Sequence, residues 1–164
     1  MSEGIVIRRA RDGDFEGIWE IFHAVVAKGD TYTYDPGTTK EEARAIWTAP
    51  GLSTYVALLD GQVVGTYTLK ANQPALGSHV ANCGYMVHPR YAGRGLGRAL
   101  CEHSLQQARE TGFLAMQFNA VVSTNERAVA LWKKLGFSIV GTVPKAFQHR
   151  ELGLVDLHVM HRFL

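Results

Sequence analysis

Residues 90–100 read Arg-Tyr-Ala-Gly-Arg-Gly-Leu-Gly-Arg-Ala-Leu, with glycines at the alternating positions 93, 95 and 97. A strand-like run from His79 to Val87 precedes them and a helical pattern follows. Glycine has no Cβ, so the backbone can turn tightly there and a ligand can approach the main chain closely. The first turn of a helix leaves N–H groups unpaired and carries about half a positive charge. Arg90, Arg94 and Arg98 add formal charge around the same point. Strand, tight turn and helix N-terminus in that order are built to hold an anion, most naturally the phosphates of a nucleotide-like cofactor.

Spacing sorts the phosphate ligands. A P-loop requires Gly-x-x-x-x-Gly-Lys-Ser/Thr, and no Lys-Ser or Lys-Thr pair lies here. The dinucleotide fingerprint Gly-x-Gly-x-x-Gly also fails. Its third glycine falls on Arg98 when counted from Gly93, and on Leu100 when counted from Gly95. What remains is Arg-x-x-Gly-x-Gly, met by Arg90, Gly93 and Gly95, with Val87-His88-Pro89 just upstream. A second constellation follows: Asn125-x-x-Ala128, then Trp132 and Leu135-Gly136-Phe137.

At these two motifs the chain resembles the GNAT superfamily of acyl-CoA-dependent N-acetyltransferases. The resemblance implies acetyl-CoA as cofactor and an α/β fold in which a mixed, mostly antiparallel sheet of about seven strands is flanked by about four helices. It also implies a cleft where the strand before the glycine turn and the strand after its helix splay apart. Backbone groups of Tyr85, Met86 and Val87 would hold the pantetheine arm there. Arg90, Ala92, Gly93, Arg94, Gly95, Leu96, Gly97 and Arg98 would surround the pyrophosphate, joined by Asn125 and Trp132 from the second motif. Asn125 reads equally well as an early helix residue, and Trp132 with Leu131 and Leu135 also reads as a buried face.

The departures from the family pattern concern proton transfer. Many members place a tyrosine where Trp132 stands, and an indole N–H donates a hydrogen bond but does not give up its proton. A water, solvent or a tyrosine from another strand, Tyr85 among them, is left for that role. Relatives often carry a glutamate near Asn82, whose amide accepts no proton. His79 has a suitable intrinsic pKa of about 6.5. Three residues separate it from Asn82, so on a regular strand the two face opposite sides. His79, Asn82 and Tyr85 therefore stand as candidates with no catalytic residue assigned. An α-amino group of pKa near 7.8 is already roughly one-seventh neutral at pH 7, which tilts the expectation toward a low-pKa acceptor.

Tyr32, Tyr34, Asn119 and Phe147, with His149, are candidates for an acceptor pocket, although loop aromatics also pack against cores. Cys83 on the cofactor strand could act as an acyl-carrying nucleophile, or simply be buried as a small apolar residue. His158 and His161, three apart on a strand, face opposite sides, and no metal site is expected.

The chain's 164 residues fit one domain over 1–164 with a core that needs no staples. A formal charge of +2 is too small to argue for nucleic acid. No apolar run approaches the ~20 residues of a membrane span, and Met1-Ser2-Glu3-Gly4 does not open a secretory signal. Cys83 and Cys101 supply neither a disulfide framework nor zinc spacing. A cytoplasmic protein follows as the plain expectation, and a homodimer is permitted.

Along the chain, periodicity and turn chemistry predict the order β-α-α-β-β-β-α-β-α-β-β. Ile5–Ile7 opens it. A helix follows Asp12, with Phe15, Ile18, Trp19, Phe22 and Val26 on one stripe. Thr39 to Glu42 forms a capping box for the second helix. Thr54–Leu59 and Val63–Leu69 are strands joined by the hairpin pair Asp60-Gly61. After the glycine-turn helix come Leu114–Val122 as a strand and Ser123 to Glu126 as a second capping box. Strands Ile139–Val143 and Leu154–Met160 flank an expected loop from Pro144 to Gly153. Strand, helix and strand in the middle argue for a parallel pair inside a mixed sheet. The leading expectation is direct acetyl transfer, through a ternary complex, to a primary amine of a small molecule. Amino-acid-like acceptors come first, ahead of polyamines, protein N-termini and aminoglycosides. An acyl-CoA-binding sensor without turnover is the alternative.

Overall fold

The computed structural model describes residues 4–164, and the opening Met1-Ser2-Glu3 lies outside them. Seven strands form one sheet: β1 (Val6–Arg9), β2 (Ser53–Leu59), β3 (Gln62–Ala71), β4 (Val80–Val87), β5 (Ala115–Val122), β6 (Ser138–His149) and β7 (Gly153–Phe163). Four helices accompany them: α1 (Phe15–Ala27), α2 (Lys40–Trp47), α3 (Leu96–Thr111) and α4 (Glu126–Lys134). The spatial order is β1-β2-β3-β4-β5-β7-β6. Only β4 and β5 run parallel, as the strand–helix–strand pattern around α3 predicts.

α1 forms because Phe15, Ile18, Ile21, Phe22 and Val26 recur at helical spacing and bury together. Trp19, expected on that stripe, packs at its edge, half-buried, stacked on Phe22 and tilted against His23. Asp12 opens a short 3-10 turn rather than capping α1. Asp14 ties the segment down by accepting from the Arg8 guanidinium at 2.7 Å and from the Arg11 N–H at 2.6 Å. Of the Thr39 box one arm forms: the Thr39 hydroxyl caps α2 by accepting from the Glu42 N–H at 3.2 Å. The second box does not form. Asn125, not Ser123, occupies the N-cap of α4, and its side chain makes no cap bond.

The larger correction concerns the last hairpin. Residues 144–149, expected as loop, extend β6 to His149, so the turn shrinks to Arg150–Leu152. Pro144 is tolerated because β6 is the sheet's edge, where a missing N–H breaks no ladder bond. A register shift between Val143 and Phe147 absorbs the irregularity, and Asp156 Oδ1 accepts the Lys145 N–H at 2.9 Å. The hairpin tip then docks on the end of α1, where the Arg150 N–H donates to the Gly29 carbonyl at 3.0 Å.

Two cores lie on opposite faces of the sheet. Phe15, Ile18, Phe22 and Trp47 from α1 and α2 pack on Val56 and Met86. On the other face Leu100, Cys101 and Leu105 of α3 and Trp132 of α4 pack on Tyr67, Cys83, Met116 and Phe118. Among the described residues no helix is long and apolar enough to cross a membrane.

Candidate active site

β4 and β5 pair only from Val80–Asn82 to Ala115–Gln117. Beyond Asn82 the two strands part, and β5 breaks its own register with β7 between Phe118 and Val121. The consequence for β4 follows from alternation. The Asn72 N–H donates to the Val80 carbonyl and the His88 N–H to the Val64 carbonyl, so even-numbered residues of β4 point their main-chain groups at β3. Odd-numbered residues point toward the parted β5. Tyr85 and Val87 therefore present main-chain groups to the opening, whereas Met86, expected to share that role, pairs with Thr66 of β3.

Side chains alternate the other way. Asn82, Gly84 and Met86 face α1 and α2, while Cys83, Tyr85 and Val87 face α3 and α4. At Gly84 two aromatics from the α1/α2 side crowd the strand. A Cβ there would stand 3.4 Å from the Tyr32 hydroxyl and 3.5 Å from the Trp47 ring. The Tyr32 hydroxyl donates to the Tyr85 carbonyl at 2.5 Å, so the loop carrying it is pinned to the parted edge of β4. Tyr32 and Tyr34 stack at 5.8 Å with an interplanar angle of 8°.

The glycine turn sits at the other end of β4. Gly93 (φ +77°) and Gly95 (φ +79°) are left-handed, a conformation that other residues rarely adopt. The first helical bond of α3 runs from the Ala99 N–H to the Gly95 carbonyl, so the N–H groups of Leu96, Gly97 and Arg98 precede it. Gly95 occupies the N-cap without a capping side chain, and a Cβ built on it would meet nothing within 4 Å. The open space, the unpaired N–H groups and the helix dipole together fit a pyrophosphate. Arg98 spends its charge on Glu102 at 2.9 Å. Arg90 and Arg94 form no ion pair among the described residues, and Arg94 lies over the Tyr91 ring at 5.1 Å. Ala92 is exposed beside them, whereas the Leu96 side chain is buried in the core.

A cavity of about 370 Å³ runs through the parted strands. Tyr85, Phe118, Asn125 and Trp132 line it from the α3/α4 side. Tyr32, Tyr34, Trp47, Thr68, Lys70 and Asn82 line it from the other. Asn119 also lines it, held by Asn72 Oδ1 at 2.6 Å. Three expected residues stand elsewhere, among them His149, which ends β6 and whose Nδ1 accepts from the Glu151 and Leu152 N–H groups at 3.1 Å. His79 precedes β4, is exposed and is absent from the lining. Phe147, which belongs to β6 rather than a loop, is buried against Val122 and Leu157 outside the cavity. Sequence reading missed Trp47, Thr68 and Lys70. Alternation along β3 places Thr66, Thr68 and Lys70 on one face, but only the pairing of Lys70 with Asn82 brings that face to the cleft.

Among the described residues no carboxylate or imidazole lines the cavity. Burial raises the Tyr32 and Tyr34 hydroxyls and lifts Tyr85 well above its ordinary value. The Tyr85 hydroxyl is shared with Ser104 Oγ at 2.7 Å, and its ring lies 5.1 Å from that of Trp132. Burial pushes the Cys83 thiol up to about 12, so it stays protonated near neutral pH.

Residues 16–137 match the Acetyltransferase (GNAT) family. The chain belongs to that family. It is 32% identical over 162 residues to the L-amino acid N-acetyltransferase AaaT of Escherichia coli K12, covering 99% of each. A GCN5-related N-acetyltransferase from Kribbella flavida superposes with a TM-score of 0.94 at 46% identity, over 100% of both chains. The yncA protein of Salmonella typhimurium, solved with its cofactor acetyl-CoA, superposes with a TM-score of 0.85 at 25% identity, covering 99% of this chain and 95% of that one. The protein is accordingly an N-acetyltransferase with the mixed α/β GNAT fold, and its acyl donor is acetyl-CoA.

Proposed function

We propose that this acetyltransferase moves an acetyl group directly to the primary amine of a small, amino-acid-like molecule, with both substrates held at once between β4 and β5. The observation that carries the reading is the single cavity lined from both faces of the parted strands. Acetyl-CoA, when bound, supplies an activated acyl thioester. The N–H groups of Leu96, Gly97 and Arg98 would hold its pyrophosphate, and the main chain of Tyr85 and Val87 its pantetheine arm. Asn125 and Trp132 wall the same side, and the stacked Tyr32 and Tyr34 wall the acceptor side.

Direct transfer is favoured over a covalent acyl-enzyme because Cys83 is the only cysteine in the lining and its thiol is held protonated by burial. Holding both reactants in one cleft accounts for a large part of the rate, since orientation is worth about 7–11 kcal/mol of barrier. With no carboxylate or imidazole lining the cleft among the described residues, the acceptor enters as its neutral amine or loses its proton through water. An α-amino group suits that arrangement better than a lysine-type amine. The name of the E. coli relative, an L-amino acid N-acetyltransferase, supports the same acceptor class.

Release of free thiol from acetyl-CoA, followed across amino acids, polyamines, aminoglycosides and peptides with free N-termini, tests the reading. Turnover is expected to be highest with amino acids. Preference for peptides would instead favour protein N-termini.

A further inference from the structure

Lys70 is the only charged side chain that lines the cavity among the described residues. It stands on β3 directly opposite Asn82, the last β4 residue paired with β5, so its stem is rooted where the cleft opens. Its face of β3 is set by Thr66, four residues earlier, whose hydroxyl receives the Trp47 indole N–H at 3.0 Å. Lys70 thus rises on the α1/α2 side, the side walled by Tyr32 and Tyr34. It is exposed and forms no ion pair among the described residues. Its register partner Asn82 is a neutral amide bonded to the Gln117 carbonyl, and Asn119, bonded to Asn72, is a second neutral amide in the same lining.

We infer that Lys70 sets acceptor specificity by pairing with a carboxylate carried by the acceptor itself. The inference rests on the acetyl-transfer reading of the cavity and names the group recognised there. An ammonium with no protein partner offers a carboxylate charge-assisted hydrogen bonds. The same charge repels the second ammonium of a diamine or an aminoglycoside, and repulsion of the wrong ligand is half of specificity. Reach is consistent with this. From Asn82 to Tyr85 is three residues, roughly 10 Å at ~3.3 Å per residue. A flexible lysine stem and an amino acid bridge that span together, placing the amine near Tyr85 when the carboxylate is near Lys70. A peptide N-terminus carries no carboxylate close to its amine and gains nothing from this contact.

The experiment compares wild type with Lys70→Met and Lys70→Glu on an amino acid, its carboxamide, its decarboxylated amine and a diamine. Wild type is expected to prefer the amino acid over its carboxamide at least ~10-fold in kcat/KM. Lys70→Met should raise the amino-acid KM about 10-fold, keep kcat within about threefold and leave the decarboxylated amine's KM unmoved, the signature of lost uniform binding. Lys70→Glu should shift preference toward the diamine. In parallel, calorimetry measures binding of the N-acetylated amino acid and of its amide, with coenzyme A affinity as the control for an intact fold. Loss of discrimination between acid and amide in Lys70→Met supports the assignment even if no acceptor in the panel turns over. An unchanged acid-over-amide preference in Lys70→Met, or none in wild type, overturns it. Absence of turnover alongside Lys70-dependent carboxylate binding would instead count against the transfer reading alone.

Discussion

Gly95 combines two demands that only glycine meets together. Its φ of +79° is left-handed, and the space beside it must stay open for a ligand to reach the N–H groups of the next turn. Gly95→Glu places a carboxylate against the proposed pyrophosphate site and strains the backbone at once. Coenzyme A affinity measured by calorimetry is expected to fall at least ~100-fold, about 2.7 kcal/mol. Retention of affinity would move the cofactor away from this turn. Asp14 acts differently, as a structural tie between β1 and the approach to α1. The Arg8 guanidinium beside it holds its carboxyl below the ordinary range, with the Arg11 N–H contributing and burial opposing. A lowered folded-state pKa contributes stability above the unfolded value, lost as pH falls through the folded one. Asp14→Asn should therefore cost about 1 kcal/mol in urea melts at pH 7, and the deficit should narrow as the pH drops below about 4.

At the scale of elements, β4 carries both halves of the site on one backbone. Its even residues complete the ladder with β3, and its odd residues beyond Asn82 face the opening left by β5. Amide hydrogen exchange separates the two sets. Adding coenzyme A should slow exchange at Tyr85 and Val87, while Met86, already paired with Thr66, should change little. Equal slowing at all three would contradict the alternation. The contrast between the two capping boxes belongs to this scale as well. Thr39 caps α2 because no strand claims it, leaving its hydroxyl to accept from the Glu42 N–H. At Ser123 the N–H is already committed to the Asp156 carbonyl of β7, so the helix starts later, at Asn125. A local motif yields wherever a sheet contact claims the same residue.

Across the whole molecule, the cavity has an unusual titration behaviour. The tyrosines and the cysteine that line it are all shifted upward by burial. None of them changes charge between pH 6 and 9. The pH dependence of kcat/KM should therefore track the acceptor's own amine: the rise moves to lower pH with acceptors of lower amine pKa, by about one pH unit per pKa unit. A rise fixed at one pH for every acceptor would reveal an enzymic base.

The glycine turn, the helix stripes, the Asp60-Gly61 hairpin and the parallel strand–helix–strand unit could all be read from residue order, because each depends on neighbours within a few positions. Resemblance to a known family added the expectation that two strands part and hold coenzyme A between them. Tyr32, Tyr34, Asn119, Tyr85, Asn125 and Trp132 are expected at that opening and do line it, but the contacts among them and the place of Lys70 were beyond either source. Lys70 stands twelve residues before Asn82 yet faces it across a hairpin register, and Tyr32 reaches a carbonyl 53 residues away. His79 and Phe147 left the candidate site for the same reason, since strand bounds and an edge position decided where each side chain went. Local order chose the elements; long-range pairing chose the companions of each side chain, and the chemistry of the cleft resides in those companions.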